Sequence, residues 1–331
     1  MRATIKDVAD LCNVSITTVS LVLNNKGHIS EETREQVREA VKELDYRRRQ
    51  SSGTIALLGP TVPDSMLSCL YRAVAEYGYS LHHLPWKPDI EELPPFPNNI
   101  RITGFLIYGG LWKQTLLKEI AGAYPTVLLG GSFPGTEVDE VWVDNIDGIN
   151  RATNYLIDHG HVSIGLVNGP RQSHTTDLKQ LGFERALRRA APEVAGHMVI
   201  SEGFREEHGL EATRRLLSEH PDITAIISGE RLLPHSVYRV LQEMGYAIPG
   251  DISVIAFRDD QSFVSFSPPV TVIDIPNMEI AREAVQHLLR RLDNHKLPGR
   301  NVLVKPRLIM RGSVAVPSAT SAPPTSFAPP T

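Results

Sequence analysis

Between Thr54 and Lys305 the chain alternates short apolar runs with longer amphipathic stretches, and few folds accommodate that order. Ile55 to Leu58, Gly104 to Tyr108, Val127 to Gly130, Ser163 to Val167, Ala225 to Ser228 and Ile252 to Phe257 are too short for helices and apolar enough for buried strands. Ser80 to His82, Val199-Ile200 and Asn301 to Lys305 read as further strands. Met66 to Glu76, Leu116 to Ala123, Gly148 to His159, Leu178 to Ala190, Gly209 to Ser218, Ser236 to Met244 and Met278 to Leu292 read as the intervening helices. Strands separated by helices pair in parallel, because a crossover of that length returns the chain to the same end of the sheet. Residues 85–100 carry five prolines and make a poor helix. The alternation restarts after Gly148, which predicts two successive lobes.

A chain of 331 residues has room for two or three domains, each with its own core. No apolar run approaches the roughly 20 residues of a membrane helix, and MRATIKDVADLCNVS has no apolar signal segment, so a cytoplasmic protein with no membrane partner is expected. Cys12 and Cys69 provide neither a disulfide framework nor a thiolate metal cage, and both read as small core fillers. Gly-x-Ser-x-Gly, Gly-x4-Gly-Lys and Gly-x-Gly-x-x-Gly are all absent, and His82-His83 alternate across a strand, so the expectation is neither an enzyme nor a protein with a metal or cofactor. The Gly130-Gly131-Ser132 turn and the pair His159 and His161 read as structural connections.

Charge is unevenly placed. The whole chain carries −4, but residues 1–50 hold nine basic and eight acidic side chains for a net +1. A polyanionic partner would therefore meet the N-terminal end of an acidic body. Within that end, Thr4 precedes a stripe of Ile5, Val8, Ala9 and Leu11; Ser15 caps a helix from Ile16 to about Asn24 with Val19, Val22 and Leu23 turned inward; and Ser30 opens a third with Val37, Val41 and Leu44 inward. Two short helices joined by a tight turn and braced by a third make a helix-turn-helix, and Thr17, Thr18 and Ser20 on the second are short polar groups suited to base edges or phosphates. By pattern alone, a small bundle for protein contacts remains open.

Thr4-Ile5-Lys6-Asp7-Val8-Ala9, Asn13-Val14-Ser15, Thr17-Thr18-Val19-Ser20 with Asn24, and Ile29-Ser30 with Thr33-Arg34 closely resemble the N-terminal signature of the lactose-repressor (LacI-type) family. The body adds His159-Gly160-His161 before Ile164-Gly165, Gly169-Pro170, Gly182-Phe183, Ile248-Pro249-Gly250-Asp251-Ile252-Ser253-Val254, Pro268-Pro269-Val270-Thr271 and Arg311-Gly312-Ser313. The resemblance covers residues 4–313 and implies a three-helix DNA-binding head followed by a two-lobed α/β body like periplasmic binding proteins, with parallel sheets. It places the base readers at Ile16, Thr17 and Leu21, with Thr4, Ser15, Thr18, Ser20 and Asn24 supporting them or contacting phosphates. Relatives often carry a polar residue where Leu21 stands; Leu can touch a thymine methyl but cannot hydrogen-bond, so modest specificity at that base pair is expected.

The expected boundaries are a head over 1–46, a linker over 47–53, a body over 54–316 and a Pro/Ser/Thr/Ala-rich tail over 317–331 expected to be disordered. Lobe 1 is assigned to about 54–148 and 276–308 and lobe 2 to about 149–275 and 309–316, with crossings near 148, 275 and 308. The linker departs from the family pattern: it is short, lacks the Pro-Asn start and the apolar wedge of a hinge helix, and carries Arg47, Arg48 and Arg49. Those arginines could reach phosphates or a narrow minor groove, or form a plain solvated connection.

The resemblance also implies a ligand cleft between the lobes, where the family brackets sugar hydroxyls with mixed polar groups. Here Phe204 retains the stacking aromatic, Lys179 replaces an Arg, Glu230-Arg231 replaces Asn-Asp, Arg258 replaces the first Asp of a Phe-Asp-Asp run, and Asp147 is a further candidate contact. Three readings follow: an anionic effector on Lys179, Arg231 and Arg258; internal pairing, such as Glu230 with Arg258, that closes the cleft to small molecules; or an ordinary sugar. The overall expectation is a homodimeric, sequence-specific transcriptional repressor on a near-palindromic double-stranded operator, controlled by a small-molecule effector. The alternative is a regulator whose cleft no longer binds ligand.

Overall fold

The computed structural model describes residues 5–23, 29–44, 53–59, 61–85, 100–109, 112–131, 137–171, 173–295 and 297–318. Two serines set the limits of the N-terminal helices. Ser15 Oγ accepts from the Thr18 amide at 3.0 Å and opens α2 (Ile16–Leu23), while Ser30 Oγ accepts from the Thr33 amide at 3.2 Å and opens α3 (Glu31–Glu43). Between α1 (Ile5–Leu11) and α2, Asn13 takes φ 52°, the left-handed conformation that an Asn tolerates in a tight turn. Val8, Ala9, Val19, Val22, Val37 and Ala40 form the buried core of the three helices. Leu11, expected inward, is 49% exposed because the chain turns away from the core there.

The body is built on two six-stranded sheets. The first contains β1 (Thr54–Leu58), β2 (Ser80–Leu84), β3 (Ile102–Tyr108), β4 (Thr126–Leu129), β5 (Asp139–Val143) and β11 (Asn301–Val304), in the order β11-β5-β4-β3-β1-β2, all parallel. The second contains β6 (Ser163–Asn168), β7 (Ala195–Ile200), β8 (Ala225–Ser228), β9 (Ser253–Phe257), β10 (Thr271–Asp274) and β12 (Arg307–Ile309), in the order β12-β10-β9-β8-β6-β7. Only β12 runs antiparallel, against β10. Side chains alternate between faces. Leu57, Leu106 and Val127 pack toward α4 (Asp64–Glu76) and α10 (Asn277–Asp293), whereas Ala56, Leu58, Phe105 and Leu128 pack toward α5 (Gln114–Ala123). In the second sheet Leu166 and Ile227 share one core with α6 (Asn145–Asp158) and α7 (His174–Leu187), and Val167, Ile226 and Val254 share the other with α8 (Glu206–Glu219) and α9 (Leu233–Glu243). Both sheets are buried on two faces, which is why their strands read as continuous apolar runs.

The chain crosses between sheets three times. It leaves the first at Val143 and enters α6 at Asn145, returns between Asp274 and Asn277, and crosses again between Val304 and Arg307. The outer two crossings differ from the expected 148 and 308, because α6 starts earlier than Gly148 and β12 already belongs to the second sheet. Asp144 fixes the first: its Oδ1 accepts from the Asp147 amide at 2.9 Å and caps α6. Gly182 fixes the seating of α7 on α6, since a Cβ there would lie 2.5 Å from the Ile146 carbonyl oxygen.

Three strands were not foreseen: β5, β10 and β12. β5 opens on Asp139 and Glu140, charges that disguise a strand, yet Asp139 is fully buried. Arg290 meets its Oδ1 at 2.8 Å, Arg291 meets Oδ2 at 3.0 Å, and the Arg300 amide donates to Oδ1 at 2.7 Å. Burial alone would raise this carboxyl; His287, Arg291 and Arg290 overcome that and hold it well below the usual carboxylate range. β12 is only three residues long and antiparallel, too short for a periodic signal. Most of the proline-rich stretch 85–100, the linker except Gly53, and the tail beyond Ser318 lie outside the described residues.

Candidate nucleic-acid interface and interlobe crevice

On α2, the inward residues Val19 and Val22 leave Ile16, Thr17, Ser20 and Leu21 on the opposite side, at spacings of one and four residues that make one helix face. Ile16 is 48% exposed, an unusual position for a branched apolar side chain in a small domain, and Thr17 beside it is also exposed. Leu21 is partly buried beside them. Ser15 and Thr18 are tied together: their hydroxyls lie 2.8 Å apart in addition to the cap. They hold the helix start in place more than they reach outward. Thr4, Asn24, Arg47, Arg48 and Arg49 lie outside the described residues.

The second candidate site is the crevice where the lobes meet. Its walls are Pro63 and Ser65 from the start of α4, Asn277 from the start of α10, and Arg231, Arg258, Asp259, Asp274 and Ile275 from the ends of second-sheet strands and the loops beyond them. The remaining cavity is about 20 Å³, enough for one water molecule, so a larger guest requires the lobes to part. Asn277 Nδ2 donates to Ser65 Oγ at 3.2 Å across the first-lobe wall. Arg311 grips Asp259 with a two-pronged fork at 2.8 and 2.5 Å. Asp260 receives the Ser262 amide and hydroxyl, which lower its carboxyl below the usual range, and Arg231 approaches it at 3.8 Å. Burial and then Asp259 push the Asp274 carboxyl upward against the pull of Arg307 and Arg311.

The six expected cleft residues are not gathered in one place. Lys179 is 1% exposed and sits beneath the crevice, inside the second lobe. Its ammonium pairs with Glu230, lies 3.3 Å from Thr175 Oγ1 and stands 4.7 Å from the centre of the Phe257 ring. Burial pulls that ammonium below the usual lysine range, Glu230 opposes the pull and Arg258 adds to it. The internal-pairing reading offered Arg258 as an example of a partner for Glu230; Lys179 takes that carboxylate instead. Asp147 is engaged within its own helix, 2.6 Å from Arg151 Nε. Phe204 is 50% exposed in the turn after β7 and does not line the crevice at Arg258. Arg231 and Arg258 do line it.

Arg258 stands out. It takes φ 75°, a left-handed backbone that a long side chain rarely adopts, while its amide donates to the Ile273 carbonyl at 2.9 Å. Asn277, Ser65 and Asp274 were missed by sequence reasoning. The available signal was Ile275-Pro276 at the lobe crossing, which forces a helix to start at the crevice mouth. His159 and His161 are structural as expected: His159 ends α6, and His161 is held by Thr224 at 2.9 Å and the Ala315 carbonyl at 3.0 Å. Among the described residues, no group of three or more His, Cys, Asp or Glu is arranged to hold a metal ion, and no helix is long and apolar enough to cross a membrane.

Comparison with known proteins yields a consistent pattern. Residues 4–49 match the model for bacterial regulatory proteins of the lacI family, and residues 153–314 match a periplasmic binding protein-like domain. The HTH-type transcriptional repressor PurR of Escherichia coli is 30% identical over 95% of this chain and 97% of its own length; that of Salmonella arizonae is 29% identical with the same coverage. Among solved structures, a lac repressor dimer bound to operator and an anti-inducer matches with a TM-score of 0.65 and 23% identity over 95% of this chain and all of that one. The transcriptional regulator CelR in complex with cellobiose matches with a TM-score of 0.64 and 24% identity over 94% of this chain and all of that one.

Proposed function

The chain belongs to the lacI family of bacterial regulatory proteins, and from that premise we propose that it is a homodimeric, cytoplasmic repressor that binds a near-palindromic operator and releases or grips it according to a small molecule between its lobes. The observation that carries the DNA-binding half is the exposed α2 face, where Ile16 and Thr17 stand out of a fully formed three-helix core. A helix presented this way fits the major groove, with Thr17 for a base edge and Ile16 and Leu21 for thymine methyls. Pairing of two copies through the body would place two heads on two half-sites; PurR relatives are named as repressors and the lac repressor neighbour as an operator-bound dimer.

The effector half is supported by the crevice, whose walls come from both lobes, so that any guest contacting both alters their relative pose. A second reading, DNA binding without effector control, is favoured by one observation: Lys179 and Glu230 satisfy each other beneath the crevice and leave little room above. Selection of a randomised duplex pool by the purified protein, followed by affinity across a salt series, tests the first half. A two-fold-symmetric site whose affinity falls steeply with salt is the expected result; weak, uniform binding refutes it. Repeating the titration with candidate small molecules separates the two readings.

A further inference from the structure

Resting on the reading of the crevice as an effector site, we infer that its ligand is a small anion bearing hydrogen-bond donors, a hydroxylated carboxylate or phosphate ester, whose charge is received by Arg258. The cations of this region are otherwise spoken for. Lys179 is buried against Glu230, Arg311 forks onto Asp259, and Arg231 faces Asp260. Arg258 alone among the crevice-lining cations has no hydrogen bond or ion pair to its guanidinium among the described residues, although it is partly buried. Its left-handed φ of 75° adds backbone strain at the same position. A partly buried guanidinium without a protein partner gives up part of its hydration in the free protein and gains charge-assisted hydrogen bonds once an anion arrives.

The opposite wall supplies the second half of the match. Asn277 spends its amide N–H on Ser65, which leaves its buried Oδ1 as an acceptor with no partner among the described residues. One guest with an anionic group toward Arg258 and a hydroxyl or amine toward Asn277 satisfies both lobes at once. A neutral polyol satisfies Asn277 but offers the Arg258 guanidinium, which has no direct partner among the described residues, no charged one. Because Arg258 follows β9 in the second lobe and Asn277 begins α10 against the first, such a ligand favours the closed pose over the open one.

The test uses the full-length protein with three probes that share one carbon skeleton: glucose, gluconate and glucose 6-phosphate, with inorganic phosphate against chloride at matched ionic strength. Thermal shift and operator affinity are read for wild type, Arg258→Gln and Arg258→Gly. The glycine variant relaxes the left-handed backbone and so folds at least as well as wild type. At least one anion is expected to raise the wild-type melting temperature and change operator affinity, with at least a tenfold loss of anion affinity in both variants. Gluconate alone identifies a carboxylate guest and glucose 6-phosphate alone a phosphate ester. Equal anion binding by wild type and Arg258→Gly overturns the assignment. Binding of glucose with no response to either anion overturns the charge class while upholding the effector site. No response to any probe, with operator binding intact, overturns the effector reading and this inference with it.

Discussion

Replacing Glu230 by Gln strips the buried Lys179 ammonium of its counter-charge while preserving shape. The Lys179 side chain is 2% exposed and that of Glu230 16%, so the ammonium cannot turn to water. Removing one partner of such a pair costs about 3–5 kcal/mol. Thr175 Oγ1 at 3.3 Å and the Phe257 ring at 4.7 Å remain and return part of this, which leaves an expected loss of about 2–3 kcal/mol. For a body of this size that corresponds to a melting temperature lower by about 4–12 °C. The pH dependence is diagnostic. Without Glu230 the folded-state pKa of Lys179 falls further below its unfolded value, so the folded variant binds fewer protons than the unfolded chain and gains stability as pH rises through that window. Differential scanning calorimetry at pH 7 and pH 9 should therefore show a deficit that shrinks at the higher pH. Lys179→Met/Glu230→Gln should recover most of the loss, since an uncharged pair of similar volume needs no counter-charge. A deficit below about 1 kcal/mol at pH 7, or one unchanged at pH 9, would falsify the claim that this ammonium is buried and dependent on Glu230.

Three further outcomes are expected. Burial first, then the nearby His159, lowers the His161 pKa to about 4 against the backbone bond to Ala315, so folding loses up to about 3 kcal/mol as pH falls from 6.5 toward 4; urea midpoints in His161→Gln should show a flatter slope over that range, and an unchanged slope counts against it. Gly182→Ala forces a Cβ to within 2.5 Å of the Ile146 carbonyl and should cost more than about 2 kcal/mol by chemical denaturation, whereas a cost under 0.5 kcal/mol would show that α6 and α7 can separate freely. Ser30→Ala removes the α3 cap and should cost about 1 kcal/mol, read as a loss of helical circular dichroism at the first thermal transition; restoration by Ser30→Asp identifies the cap as the cause.

The sequence makes most of the strands and helices legible because parallel sheets buried on both faces leave a dense apolar record, as at Ile55 to Leu58 and Ile252 to Phe257. Where that record fails in β5, long-range charge pairing is responsible. Asp139 reads as a surface residue until Arg290 and Arg291, about 150 positions later, close over it. Lys179 reads as a cleft cation for the same reason: the partner that neutralises it is 51 residues away, and no local pattern announces which of Glu230, Arg231 and Arg258 will pair. The exposed face of α2 was clearer, because caps and a period near 3.6 are local properties. The left-handed backbone at Arg258 left no trace in residue type, since only a Gly or Asn there would have signalled it.

The placement of β11 and β12 has a consequence for synthesis. Both sheets receive their outermost strand from residues 301–309, after every other strand has been made. While the chain is still emerging, β5 presents an unpaired edge in the first sheet and β10 does so in the second, each with apolar faces already assembled. The three-helix head, whose contacts are all local, can settle long before that point. Nascent or truncated chains that stop short of residue 300 thus combine a finished head with two open sheet edges, the kind of template that pairs with a neighbour's strand. The last strands to be made therefore cover β5 and β10, and leave the short β11 and β12 as the outer edges in their place.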